Sequence, residues 1–326
     1  MKVFLTGGTG FIGGEVARRL RERGDDVVAL VRTPAAATSL RDLGCALVAG
    51  SLSSPDAIRS GLEGADAAIH GAAVYEVGIP AKRRPAMYEA NVTGTRTVLS
   101  AALDAGTTKV VYVSSVVAFG DTKGAVVDEG HEHPGRFTSY YDETKHLAHR
   151  EARRQIAAGL PCVVAQPGAV YGPHDHSVIG DVVRKVARGR LPAVAFPEFG
   201  VTAVHRDDVA DGILRALDAG RPGESYVLGG DITTLGDIVS CAARVAGRRA
   251  PRLTVPVSFV RAVAPLGPLV GPLLGYPPNM RELVSTSDGV TFWASDAKAR
   301  AELGYTTRHL EDGLRDTLRA EGLLRA

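Results

Sequence analysis

The chain opens with a strand, a glycine turn and a helix in direct succession, and no later feature limits its fold as strongly. Lys2-Val3-Phe4-Leu5 is a short apolar run rich in strand formers. Thr6-Gly7-Gly8-Thr9-Gly10-Phe11-Ile12-Gly13 follows, and Glu15 to Arg23 reads as an amphipathic helix. The glycines fit G-x-x-G-x-x-G counted from Gly7 and G-x-G-x-x-G counted from Gly8. Glycine lacks the Cβ that would hold a pyrophosphate away from the backbone. The first helical turn offers unpaired N–H groups and a partial positive charge to phosphates. This is the context of a dinucleotide-binding unit, with Gly7, Thr9, Gly10, Phe11, Ile12 and Gly13 as its contact positions.

The next strand bears on which dinucleotide. Val27 to Val31 is an apolar, β-branched run of the kind buried in parallel sheets. Arg32 follows it, about twenty positions beyond the last glycine, where an acidic residue would bind the ribose 2′-OH of NAD. A guanidinium has no acceptor for that hydroxyl, and its planar fork suits a 2′-phosphate. Arg32 therefore favours NADP, with NAD as the alternative.

Strand and helix patterns alternate through the first half, which predicts a parallel, doubly wound α/β sheet covered on both faces. Helices are expected over Ala35 to Leu43, from a Ser-capped start at Pro55, and over Pro85 to Ala105. The glycine turn, Gly71-Ala72-Ala73, Ser114-Ser115 and Pro167-Gly168 all fall at carboxyl ends of expected strands, where such folds bind ligands. Beyond Tyr171 proline and glycine rise and the alternation loosens. Residues 1–170 and 204–230 are expected to form the dinucleotide domain, and 171–203 and 231–326 a smaller substrate lobe. The uncharged stretch Ala262 to Met280 contains five prolines, too broken for a clean spanning helix, and reads as an apolar, irregular cap.

A net charge of +2 and the lack of a basic, aromatic stripe argue against a nucleic-acid surface. Cys45, Cys162 and Cys241 are scattered and lack metal spacing, which fits buried thiols in a reducing cytoplasm. Met1 abuts the first strand, so no signal peptide is expected.

Tyr141 and Lys145 stand four apart in a stretch of good helix formers, so both side chains share one face. A nearby ammonium favours the phenolate, and Tyr141 is expected to titrate below the ordinary value of about 10. Such a group exchanges protons with a substrate oxygen near neutral pH.

In order and spacing these motifs resemble the extended short-chain dehydrogenase/reductases, also described as NAD-dependent epimerase/dehydratase-like proteins. The resemblance runs through TGGTGFIG, His70 to Ala73, Asn91 to Thr95, Tyr112 to Gly120, Tyr141-x-x-x-Lys145, Gln166 to Pro173 and Val204 to Ile213. It implies that Ser115, with Ser114 as fallback, holds the substrate oxygen, that Tyr141 is the acid/base, and that Lys145 binds the nicotinamide ribose and lowers the tyrosine pKa. It also implies that Asn91 supports the site, that Ala72 and Ala73 line the cofactor, and that Pro167, Gly168 and Val170 orient the nicotinamide. Where the family often has Gly-Asp-Leu near adenine, this chain has Gly50-Ser51-Leu52, so the Ser51 hydroxyl is the expected substitute. Ser115-Val116-Val117 lacks the threonine and acidic pair typical of the family's dehydratases. Arg32 and the residues beside it look more like the dihydroflavonol reductase and aldehyde reductase branch.

Tyr75, His174 and His176 are candidates to line the substrate. His174-x-His176 has no further ligands at metal spacing, so no metal site is assigned. The expected activity is NADP-dependent reduction of an apolar ketone or aldehyde, or oxidation of the matching alcohol. An NAD-retaining sugar epimerase would use the same serine, tyrosine and lysine. A cofactor-sensing regulator without turnover would have no need of the tyrosine–lysine pair. The helices from Pro85 to Ala105 and from Ser139 to Ala158 resemble those that pair into a four-helix dimer interface in this family, which implies a homodimer.

Overall fold

The computed structural model describes residues 1–268 and 277–324. The strands are β1 Lys2–Thr6, β2 Asp26–Val31, β3 Ala46–Ala49, β4 Ala67–His70, β5 Lys109–Val113, β6 Cys162–Pro167, β7 Ala169–Tyr171, β8 Ala193–Ala195, β9 Gly200–His205, β10 Ser225–Leu228, β11 Asp231–Thr234, β12 Leu253–Val255 and β13 Thr291–Phe292. The helices are α1 Phe11–Glu22, α2 Thr38–Asp42, α3 Pro55–Leu62, α4 Arg84–Tyr88, α5 Gly94–Asp104, α6 Tyr140–Ala157, α7 Val178–Ala187, α8 Arg206–Ala219, α9 Leu235–Val245, α10 Val257–Val263, α11 Met280–Ser287, α12 Ala297–Leu303 and α13 Leu310–Ala320.

Seven strands form one sheet in the order β10-β6-β5-β4-β1-β2-β3, and every pairing is parallel. Successive strand residues face opposite sides. Val3 and Leu5 pack under α1, α2, α8 and α12, while Phe4 packs under α3, α5 and α6. Both faces are covered, which is why these strands read as unbroken apolar runs. A second, smaller sheet is built on β9, which pairs with β7, β11 and β13. A separate apolar cluster joins α7, α9 and α13 on that side. Ala299, Leu303 and Tyr305, from the part of the chain assigned to the smaller lobe, pack in the core of the large sheet.

Several elements differ from the sequence reading. The stretch Ala35 to Leu43 is a 3-10 turn, Pro34–Ala36, followed by the short α2. Ser54 stands at the α3 cap without bonding the helix; its Oγ accepts from Ser51 N at 3.2 Å instead. The long helix before β5 runs from Arg84 to Asp104 and widens into a π turn at Glu89–Thr93. Within the apolar cap, Ala262 and Val263 end α10, Ala264–Leu266 forms a 3-10 turn, and Met280 begins α11. Pro256 lies just outside α10 and Pro265 in the turn after it, so the helix between them is unbroken. Helices α10 and α11 enclose a cluster of Phe196, Val260, Ala264, Met280 and Val284. The remainder of that cap, 269–276, lies outside the described residues.

Candidate active site

The glycine turn leaves the carboxyl end of β1 and closes on itself: Gly10 N donates to Gly7 O at 2.9 Å. A Cβ at Gly13 would stand 2.1 Å from the Gly7 oxygen, and one at Gly7, where φ is +81°, 2.7 Å from Ala72 N. Only glycine permits this packing. Thr9 and Gly10 are exposed at the start of α1, whose first turn has no acidic residue to repel an anion. A phosphate therefore meets bare backbone donors, and the residues present fit a dinucleotide. Phe11 and Ile12 continue the turn into α1, half-buried. Thr6 Oγ1 contacts His70 Nδ1 at 2.7 Å and accepts from Ala72 N at 3.3 Å, which ties this turn to the loop after β4. Burial pushes His70 down to about 3, so it is neutral.

Arg32 directly follows β2 and is exposed. Ser51 follows β3 by two residues, but its hydroxyl is engaged with Ser53 and Ser54 at 2.9 and 3.2 Å. The adjacent Leu52 packs closely on Gly94 at the start of α5, where a Cβ would stand 2.8 Å from Leu52 Cβ. Ala72 is half-buried and Ala73 exposed in the loop after β4. Pro167 ends β6, and Gly168 lies so near β9 that a Cβ there would stand 2.1 Å from Thr202 O. Val170 pairs with Val204 in the second sheet.

Strands β6, β5, β4 and β1 are neighbours, so the loops at their carboxyl ends open onto one crevice. Helix α6 crosses it, capped by Ser139, whose side chain accepts from Asp142 N at 3.1 Å. Lys145 is buried; its Nζ donates to Val113 O at 3.3 Å and lies 5.5 Å from the centre of the Tyr112 ring. With no carboxylate to offset desolvation, its pKa falls to about 8.

Tyr141 departs from the sequence expectation. Its phenol titrates above the ordinary value, not below it, because burial disfavours the anion; the Tyr75 and Tyr112 hydroxyls add to this. Burial also lowers Lys145 to about 8, so on raising the pH the lysine loses its proton before the phenol does. Tyr141 is half-buried in the wall of the crevice. At neutral pH this tyrosine keeps its proton.

The two serines separate cleanly. Ser114 Oγ contacts His149 Nδ1 at 3.3 Å. Ser115 Oγ accepts from Val117 N at 3.2 Å, capping the 3-10 turn Val116–Phe119, and a hydroxyl that accepts still has its proton to give. Asn91 sits in the π turn, 1% exposed, with its side chain fully engaged. Its Oδ1 accepts from Val74 N at 2.7 Å, while Nδ2 donates to Val74 O at 2.9 Å and Thr144 Oγ1 at 3.0 Å. It clamps the loop after β4 to α6.

Tyr75 is 57% exposed and meets the Tyr141 ring edge to face. His174 and His176 are exposed on the loop after β7; His174 has a φ of +63° and its N–H donates to Glu321 Oε1 at 3.0 Å. Among the described residues no group of three potential ligands gathers for a metal.

Sequence reasoning missed the supports of α6. Glu282, buried on α11, accepts from Tyr140 N and from Arg84 Nη2, each at 3.0 Å. Asp142 accepts from Thr138 N at 2.8 Å and lies 3.3 Å from His133 Nε2; burial pushes it up to about 6. The His133 ring packs on His146, centroids 4.4 Å apart, and His146 Nδ1 approaches Ala118 O at 3.4 Å. These contacts brace the first turns of α6 against the segment that carries Ser115. They join residues far apart in the chain and leave no local pattern.

Comparison with known proteins agrees with this geometry. Residues 3–229 match the model of the NAD dependent epimerase/dehydratase family. The chain is 31% identical to a 4-hydroxy-2-methyl-3-oxo-4-farnesyl-3,4-dihydroquinoline-1-oxide ketoreductase of Stigmatella aurantiaca, over 99% of this chain and 97% of the relative. It is 29% identical to a 2-alkyl-3-oxoalkanoate reductase of Stenotrophomonas maltophilia, over 97% and 98%. A solved structure, MoeE5 in complex with UDP-glucuronic acid and NAD, is similar with a TM-score of 0.79 at 25% identity, covering 99% of both chains. With two thirds of the chain inside the family model and the reductase relatives spanning nearly all of it, the chain belongs to the NAD dependent epimerase/dehydratase family and is an NAD(P)-dependent enzyme of the extended short-chain dehydrogenase/reductase type.

Proposed function

We propose that the chain is an NADP-dependent reductase that converts a modestly apolar ketone or aldehyde to its alcohol, or runs the reverse oxidation. The observation that carries this reading is the Tyr141 ring, edge to face with the exposed Tyr75 and on the same helix as the buried Lys145. Carbonyl reduction needs a proton at the oxygen as hydride reaches the carbon. A bound nicotinamide dinucleotide supplies that hydride. Ser115 donates its free proton to the substrate oxygen and holds it near Tyr141. Tyr141 gives up the phenolic proton as charge builds on that oxygen. Lys145 grips the ribose, and Asn91 keeps α6 and the loop after β4 in register. Gly7, Thr9, Gly10, Phe11, Ile12 and Gly13 take the phosphates, with Arg32 on the 2′-phosphate. Leu52, Ala72 and Ala73 line the adenosine side, and Pro167, Gly168 and Val170 the nicotinamide side. Ser51 contributes backbone there, its hydroxyl being shared with neighbouring serines. Tyr75 with its apolar ring, and His174 and His176 at the far rim, face the substrate. The names of the reductase relatives, with their alkyl and farnesyl ketones, support an apolar substrate.

A second reading is an NAD-retaining sugar epimerase, favoured by the likeness to a structure that holds a sugar nucleotide and NAD. We further propose a homodimer paired through α5 and α6, and a reducing, cytoplasmic setting that fits three free, buried thiols. Light scattering that returns a monomer overturns the dimer.

Calorimetric titration of the apo protein with NADPH and NADH, wild type beside Arg32→Ala, tests the main reading. NADPH should bind at least about tenfold tighter, roughly 1.4 kcal/mol, and Arg32→Ala should erase the difference. Equal or tighter binding of NADH, or NAD already bound on purification, moves the reading to the epimerase.

A further inference from the structure

Tyr140 is the first residue of α6, and its N–H has no acceptor inside the helix. Ser139 caps Asp142 N, and the Tyr140 N–H goes instead to Glu282 Oε1 at 3.0 Å. The other oxygen of that buried carboxylate, Oε2, takes Arg84 Nη2 at 3.0 Å and Asn279 Nδ2 at 2.9 Å. The Arg84 guanidinium also lies 5.0 Å from the centre of the Tyr140 ring. One turn further along α11, Ser285 Oγ and Thr286 Oγ1 donate to Thr138 O at 2.7 and 3.1 Å. The start of α11 holds the facing segment. Asn279 N donates to Gly78 O at 3.3 Å, three residues after Tyr75. Pro277 presses on Gly78, where φ is +75° and a Cβ would stand 2.6 Å from Pro277 Cβ. One short helix and its cap therefore grip both segments that carry the Tyr75–Tyr141 contact. On its other side, Met280 and Val284 pack with Phe196, Val260 and Ala264, outside the large sheet.

We propose that Glu282 is a positioning residue for the acid/base: through the Tyr140 N–H it sets the first turn of α6, so that Tyr141 takes its place against Tyr75 only while α11 is docked. Tyr141 is the next residue along the chain, and a shift of that turn passes directly to the phenol. Glu282 acts on Tyr141 through the backbone and not on the substrate. A buried carboxylate–guanidinium pair adds little net stability once desolvation is counted, so the contribution of Glu282 lies in geometry. A misplacement of about 1 Å near a reacting group costs on the order of 10²-fold in rate. The proposal rests on the reading of Tyr141 as acid/base, which the reductase and the epimerase share.

Two variants of the full chain test it. Glu282→Leu keeps much of the bulk and removes the acceptor, while Glu282→Gln keeps an oxygen for the Tyr140 N–H and loses the charge facing Arg84. Both should bind NADPH and NADH within about threefold of wild type by calorimetry. In steady-state reduction of an apolar ketone, Glu282→Leu should lower kcat at least about tenfold with a smaller change in KM, and Glu282→Gln should recover most of that loss. A role in stability alone would lower the melting temperature of both variants and leave kcat per folded molecule unchanged, and that result overturns the proposal. Amide hydrogen exchange needs no substrate. Residues 138–144 should exchange at least about tenfold faster in Glu282→Leu than in wild type, with residues 147–157 of the same helix unchanged. Equal exchange at 138–144, or faster exchange along the whole helix, overturns the proposal whatever the chain reduces. A wild type that reduces no ketone but shows the local change supports the role of Glu282 and overturns the reductase reading instead.

Discussion

The rings of Tyr75 and Tyr141 meet edge to face, with centroids 4.9 Å apart and planes at 87°. One comes from the loop after β4 and the other from the first turn of α6. Asn91 bonds both segments, through Val74 and Thr144. The contact makes Tyr75 an aromatic wall beside the proposed proton donor. Such pairs contribute about 1 kcal/mol when buried, and less with one ring this exposed. Tyr75→Phe is expected to leave turnover nearly unchanged, while Tyr75→Ala raises KM several-fold more than it lowers kcat. Steady-state kinetics on an apolar ketone would show this, and an equal effect of both variants would implicate the Tyr75 hydroxyl instead.

Tyr141→Phe removes the proton and keeps the ring. We expect kcat to fall about 10²- to 10⁴-fold, the usual range for a lost acid/base, with thermal unfolding unchanged. Ser115→Ala should also cost turnover, by about tenfold or more. Ser114→Ala should cost far less, because that hydroxyl is held by His149. Reversed effects of the two serines would exchange their roles.

Lys145 gives a prediction with opposite signs for activity and stability. Its folded pKa is depressed from 10.5 to about 8 by burial. Below about 8 the cation is charged in both states, and the folded chain bears the full desolvation penalty. Between about 8 and 10.5 the folded chain binds fewer protons, so stability rises with pH. Lys145→Met removes the penalty and is expected to stabilise the protein by about 1–3 kcal/mol at pH 7 while abolishing turnover. Urea unfolding at pH 7 would measure it, and a destabilised Lys145→Met would show that the bond to Val113 O outweighs desolvation.

Acid should unfold the protein through His70, which is buried, and His149, which is half-buried, both neutral in the folded chain. Burial pushes His70 from 6.5 to about 3 and His149 to about 4. A depressed histidine binds fewer protons folded than unfolded, so its stabilisation is complete above about 6.5 and is lost as pH falls toward the folded value. Melting temperature should therefore drop between pH 6.5 and 4. His149→Gln should flatten that slope, and an unchanged slope would assign the acid sensitivity elsewhere.

Gly13→Ala tests the turn itself. The new Cβ would overlap the Gly7 carbonyl, and the turn has no room to yield. Dinucleotide binding should be lost, with destabilisation of about 2–4 kcal/mol. Gly24→Ala is the control: its φ of +86° is strained, but no atom lies near its Cβ and the crevice is distant. Calorimetric titration of both variants separates a lost site from a general loss of stability.

Much of the site was legible because its demands are local. The need for glycine at position 13 is set within the turn itself, by the Gly7 carbonyl at its other end, which is why the motif was legible. The spacing of Tyr141 and Lys145 places both on one helical face whatever surrounds them. Strand alternation predicted the parallel sheet, since burial on both faces leaves an apolar signature. Beyond Tyr171 the signal failed: β8, β11 and β13 are short and their partners distant, so little in the local pattern announces them.

The direction of the Tyr141 pKa was decided by tertiary structure alone. The sequence shows a neighbouring cation, and from that a lowered value follows. Folding also desolvates the phenol, and that burial raises its pKa, while the lysine itself is lowered to about 8. The same holds for Glu282, which reaches Tyr140 N across a separation of 142 residues, and for Asn91, whose bonds to Val74 and Thr144 spend it on positioning. The sequence by itself determined the strand–turn–helix, the parallel sheet and the residue types at the crevice, because local sterics and periodicity dictate them. Which of those groups carries a proton and which only braces the site depends on burial and partners, quantities that exist only once remote parts of the chain have packed together.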